Sequence, residues 1–118
     1  MSNQKERLRI NEALRLVKNT HALKPYDPKI SVANTWAHES AKCRLIYLFK
    51  KLGVEVYSEV EFKGGARADL FIPFQYRIIE VTHSETAKRS EEKLSYYPSE
   101  CDVEFISTEE ILKEDYEV

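Results

Sequence analysis

The sequence predicts an α/β fold: a small mixed sheet of about four strands flanked by helices, in the order αα-βββ-αβ-α. Three observations carry this. The apolar segments "VEVYSEVEF", "ARADLFIP" and "QYRIIEVT" follow one another with only short turn signals between them, so they form an antiparallel meander. A later segment, "DVEFIS", comes after a helical stretch, and a strand reached that way ordinarily joins the sheet in parallel. Two helical patterns precede all of them.

The first helix is expected over residues 3–18, where Leu8, Ile10, Ala13, Leu14 and Val17 recur loosely at helical spacing. "LKPYDPK" stops it with two prolines and is the one plausible internal linker. The second helix is expected from about Ala33 to Leu52, with Gly53 as its stop. "KGG" turns the first strand into the second, and Pro73 to Gln75 turn the second into the third. A helix follows over about Ser84 to Leu94 and ends at "YYPSE". The last helix starts in "TEEILKED", with Thr108 as its N-cap candidate and acids in its first turn.

A chain of 118 residues predicts one domain, 1–118, with residues 1–30 as a basic helix and linker and residues 31–118 as the core. No apolar run approaches the roughly 20 residues of a membrane helix, so no membrane partner is expected. The polar start carries no secretory signal, and Cys43 and Cys101 match no zinc or redox spacing. These features predict a cytoplasmic protein. Charge is uneven. From Met1 to Glu59 eleven basic residues face six acids, a net of +5, against −7 for the remainder. Solvated helix faces explain such a basic front half; so does contact with a polyanion.

Two of the strands each carry one carboxylate among apolar residues: Asp69 in "RADLFI" and Glu80 in "IIEVT". Burying a carboxylate is costly unless something compensates it. Antiparallel pairing about Pro73–Gln75 brings the two side by side. Alternation places Asp69 with Phe71, and Glu80 with Ile78 and Thr82. Two such acids either share a proton or hold a divalent cation, and oxygen donors suit magnesium or manganese. Glu39 joins them as the acid of a stripe formed by Trp36, Glu39, Cys43 and Ile46. The ordinary alternatives are a stripe-edge residue for Glu39, an ion pair with Arg67 or Arg77 for Asp69, and a cross-strand ion pair for Glu80. His38 lies about 100° around the helix from Glu39 and is not expected to be a ligand. His83 is expected on the opposite sheet face from Thr82, and His21 in a loop.

A helix bearing Glu39 in "AHESAK", a meander bearing Asp69 and "IIEV", then a helix and a parallel strand resembles the PD-(D/E)xK nuclease superfamily. The resemblance covers about Thr35 to Ile111, and its motifs are short. It implies a restriction-endonuclease-like fold and metal-dependent hydrolysis of phosphodiester bonds in nucleic acid, DNA foremost. It implies that Asp69, Glu80 and the Val81 carbonyl bind Mg2+ or Mn2+, with Glu39 completing the site directly or through water. One departure matters: the family's lysine two residues after the glutamate is Thr82 here. Lys88, on the following helix, is the best replacement, ahead of Lys63 and Lys93. Arg7, Arg9, Arg15, Lys42, Lys50 and Lys51 are the candidate phosphate contacts. A homodimer suits so small a protein on a duplex. Two other readings stand: a degenerate module on the same fold that binds nucleic acid or a partner protein without cutting, and an α/β domain whose acids make structural ion pairs.

Overall fold

The computed structural model describes residues 4–83 and 94–118. The sheet has four strands in the order β1-β2-β3-β4: β1 Tyr57–Glu61, β2 Arg67–Ile72, β3 Arg77–Thr82 and β4 Asp102–Ser107. β1 and β2 pair antiparallel, as do β2 and β3, while β3 and β4 run parallel from Arg77 beside Asp102 to Thr82 beside Ser107. This is the mixed sheet that the meander and the crossover predict. The expected helix over Ser84 to Leu94 falls, but for Leu94, outside the described residues.

Helix α1, Gln4–Leu14, covers one face of the sheet. Its Ala13 and the following Val17 pack with Tyr57, Val60, Phe62, Phe71 and Ile78. The helix is shorter than residues 3–18 because the chain past Leu14 turns to meet the sheet instead. Val17 bridges Phe62, the Lys18 N–H donates to the Glu61 carbonyl at 2.9 Å, and the Lys63 N–H donates to the Leu16 carbonyl at 3.0 Å. Further along, the Tyr26 N–H donates to the Val56 carbonyl at 2.9 Å.

Helix α2, Trp36–Lys51, covers the other face, where Ala41, Leu45, Ile46 and Phe49 pack on Val56, Leu70, Ile72, Ile79 and Val81. Its ends explain its length. Thr35 is the N-cap, its hydroxyl accepting from the His38 N–H at 3.1 Å. Gly53, at φ 73°, closes the other end: its N–H reaches the Lys50 carbonyl at 3.0 Å, and the Val54 N–H reaches Phe49 at 3.0 Å. Those two bonds are the Schellman closure, and the left-handed position is where glycine is cheapest. Thr35→Ala should cost about 1 kcal/mol, read as a lower urea midpoint at unchanged slope.

The short helix α3, Thr108–Ile111, packs on α2 through the buried Ile111. Its cap is Ser107, which accepts from the Glu110 N–H at 3.2 Å, rather than Thr108, which is buried in the first turn.

The stripe expected on α2 is rotated. Trp36 is 81% exposed and the true buried face is centred on Leu45, Ile46 and Phe49. At 100° per residue Trp36 lies about 140° from Phe49, whereas Lys42 lies about 20° from it. The strand alternation also breaks once. Phe71 and Ala68 pack toward α1 while Leu70 packs toward α2, so the pleat changes phase between Ala68 and Leu70, at Asp69. Opposite it, Glu59 sits at φ 51°, a left-handed conformation costly for a residue with a side chain.

Candidate active site

Glu39, Asp69 and Glu80 come together, but the group between them is His38. Its Nδ1 lies 2.8 Å from Glu39 Oε2 and its Nε2 lies 3.3 Å from Asp69 Oδ2. Only an imidazole carrying both protons satisfies two carboxylates at once. Its pKa is accordingly raised to about 9: the hydrogen bond with Asp69 lifts it most, burial opposes, and Glu39 adds to the rise.

Behind Glu39 stands a second cation. Lys42, expected on a surface meeting phosphate, has 0% exposure. Its ammonium donates to Glu39 Oε1 at 3.0 Å, to the Lys29 carbonyl at 3.2 Å and to Glu59 Oε2 at 3.5 Å. All three of its protons are spent, so it cannot reach a ligand. Lys42 is therefore withdrawn from the nucleic-acid contacts: it lies on the buried face of α2, held by two acids. Glu39 Oε1 also accepts from the Ser31 N–H at 2.6 Å. Burial pushes the Glu39 carboxyl up, but Ser31, His38 and Lys42 outweigh it and hold the group below the ordinary value.

Asp69 and Glu80 sit opposite each other at the end of the β2–β3 pairing. The Asp69 N–H donates to Glu80 Oε2 at 3.2 Å, and the Val81 N–H donates to Asp69 Oδ2 at 2.8 Å. Tyr97, from the segment before β4, donates its hydroxyl to Glu80 Oε1. Burial pushes Asp69 up; hydrogen bonds with His38, with the Glu80 side chain and with the Val81 N–H reverse this and hold it low. Among the described residues the two cations His38 and Lys42 lie at the Glu39 end of this network, with His38 reaching Asp69.

The Asp69–Glu80 end opens to a cavity of about 610 Å³ whose lining includes His38, Arg67, Asp69, Glu80, Val81 and Tyr97. His83, expected on the opposite face, lines the same cavity, with its Nδ1 3.2 Å from Thr108 Oγ1. Thr82, in the motif-lysine position, pairs with Ser107 in the β3–β4 ladder. Lys88 and Lys93 lie outside the described residues.

For a divalent cation the donors fit in part. Asp69 and Glu80 are adjacent oxygen donors on neighbouring strands, and magnesium commonly takes one or two carboxylates with water. Glu39 does not fit as a direct ligand, because Ser31, Lys42 and His38 occupy both of its oxygens. Among the described residues no group of three His, Cys, Asp or Glu side chains forms a ready cation site.

The expected phosphate contacts divide. Arg7 pairs with Glu55 at 2.8 Å, and Arg9 stacks over Tyr76 at 4.9 Å while donating to the Phe74 carbonyl. Lys50 lies over Tyr26 at 5.4 Å. Arg15 and Lys51 are exposed. Sequence reasoning set His38 aside as a ligand, placed Lys42 among the phosphate contacts and did not single out Tyr97. The signal for the first two was present: both fall within about 80° of Leu45 and Ile46 on the helix. Tyr97 left no such trace.

The comparisons with known proteins found no matching family model, curated protein or solved structure.

Proposed function

We propose that the protein is a divalent-cation-dependent nuclease hydrolysing phosphodiester bonds, with DNA as the first substrate to test. The observation that carries this is the Asp69–Glu80 pair, two carboxylates on adjacent strands, tied by backbone N–H bonds and lining an open cavity. Asp69, Glu80 and the Val81 carbonyl would hold Mg2+ or Mn2+. Such an ion lowers the pKa of a bound water and polarises a phosphate oxygen. The chain's own residues do the rest. His38 fixes the Asp69 carboxylate, Glu39 holds His38 and Lys42 in place, and Arg67 at the cavity rim offers a cation to phosphate. Lys88 remains the candidate for offsetting charge at phosphorus in the transition state. The expected cytoplasmic setting and homodimer belong to the same proposal.

A second reading is a module on this fold that binds nucleic acid or a partner protein without cutting. Thr82 in place of the motif lysine favours it, as does the His38 imidazolium already standing between Glu39 and Asp69.

Cleavage of plasmid and single-stranded DNA with Mg2+ or Mn2+ separates the two. Under the nuclease reading, Glu80→Gln and Asp69→Asn each reduce cleavage at least about 100-fold and abolish Mn2+ binding by calorimetry. Equal cleavage by parent and both variants would place the chemistry elsewhere. No cleavage by the parent, with cleavage created by Thr82→Lys, would establish the degenerate module.

A further inference from the structure

We infer that the surface running out of the acid-lined cavity is a track for single-stranded nucleic acid, with Tyr96 as the base-stacking platform. The inference takes from the proposed function only that a nucleic-acid strand enters this cavity; whether the strand is cut is measured apart.

Tyr96 is 67% exposed, with its neighbour Tyr97 turned inward to Glu80. It borders two hollows at once. On one side is the cavity of Asp69 and Glu80; on the other is a hollow of about 380 Å³ shared with Arg15, Lys63 and Gly64. Between the two runs the turn from β1 to β2, where Gly64 and Gly65 present backbone and no side chain. A side-chain carbon at Gly64 would stand 3.7 Å from the Tyr96 carbonyl, so this turn lies against the Tyr96 backbone.

The charges are arranged to match. Arg15, Lys63 and Arg67 are exposed, and among the described residues none of the three side chains has a hydrogen-bond or ion-pair partner. Several other cations are engaged, Arg7 by Glu55, Arg77 by Glu104, Lys18 by Glu61 and Arg44 by the Glu114 carbonyl, while Lys5, Lys24, Lys51 and Lys113 are exposed but line neither hollow. Free cations and an uncovered aromatic ring, contiguous with a phosphodiester-sized chemistry, form the combination that binds single strands. Cations follow the backbone, and the ring stacks on a base face of any sequence. A duplex keeps its base faces stacked inside and offers Tyr96 nothing to cover. The platform therefore selects the unpaired strand.

The test is fluorescence anisotropy with a labelled oligothymidylate and a duplex of equal length, in EDTA so that nothing is cut. The oligothymidylate should bind at least about tenfold tighter than the duplex, and Tyr96→Ala should lose about tenfold of that while Tyr96→Phe keeps it. Neutralising Arg15, Lys63 and Arg67 to glutamine should lower the slope of log affinity against log salt by about 2. The exposed sites allow each variant to fold, checked by its circular dichroism. Duplex binding equal to or tighter than single-strand binding would overturn the inference. So would an unchanged affinity in Tyr96→Ala, or an unchanged salt slope in the triple variant. Tight, Tyr96-dependent binding without any metal-dependent cleavage would sustain the track and remove the nuclease reading instead.

Discussion

Replacing Lys42 with alanine is expected to cost about 3–5 kcal/mol of folding stability, because it strands two carboxylates that the ammonium neutralises. Lys42 is fully buried and donates to both Glu39 and Glu59. Urea denaturation reads the effect directly. Lys42→Met keeps much of the volume and still leaves the acids unpaired, so it should recover little; near-complete recovery would assign the effect to packing. Lys51→Ala is the control: an exposed lysine on the same helix, expected to change stability by less than about 0.5 kcal/mol. A Lys42→Ala variant within 1 kcal/mol of the parent, roughly an ordinary surface change, would mean the buried charges are not held by this amine.

The second large effect is a loss of stability toward alkaline pH. The His38 pKa rises on folding from 6.5 to about 9. A folded-state pKa above the unfolded one means that the stabilisation is whole below about pH 6.5. It then falls as pH rises through about 9, and is gone above that. Each pKa unit is worth about 1.4 kcal/mol, so the full span is at most about 3.5 kcal/mol. Denaturation in EDTA between pH 6 and 10 measures it, and His38→Gln should flatten the slope. A parent protein equally stable across that range would remove His38⁺ from the network. The acid limb has the opposite sign. Asp69 and Glu39 are held below their ordinary values of 3.8 and 4.5, so what they contribute is present above those values and lost as pH falls below them.

The sheet was legible because two local signals agreed. Apolar alternation marked the strands, and Gly64–Gly65 and Pro73–Gln75 marked the turns between them. Asp69 and Glu80 stood out because a carboxylate within an apolar strand needs a reason. The helix misled because Trp36, the largest apolar side chain, set the phase of the stripe; it is exposed, and Ala41, Leu45 and Phe49 set the phase instead. With that phase, His38 and Lys42 turn inward beside Glu39, and the positive charge sought between the acids is supplied in part by the chain itself. Tyr97 and the pleat change at Asp69 depend on where the return to β4 and the left-handed Glu59 place the backbone. Neither has a periodic signature.

The chain between α1 and α2 has a consequence for association. β1 and β4 are the two edges of the sheet, and an unpaired edge invites a strand from another molecule. At β1 the invitation is withdrawn: the carbonyls of Val56 and Glu61 and the N–H of Lys63 are already engaged by Tyr26, Lys18 and Leu16. The remaining edge, β4, carries Asp102 and Glu104 two residues apart, on one side of the strand. Glu104 is paired with Arg77, which leaves Asp102 as the exposed acid of this edge. Edge-to-edge addition of sheets, the route by which small open sheets become filaments, is thus opposed at both ends of β1, where the chain's own backbone already holds these groups.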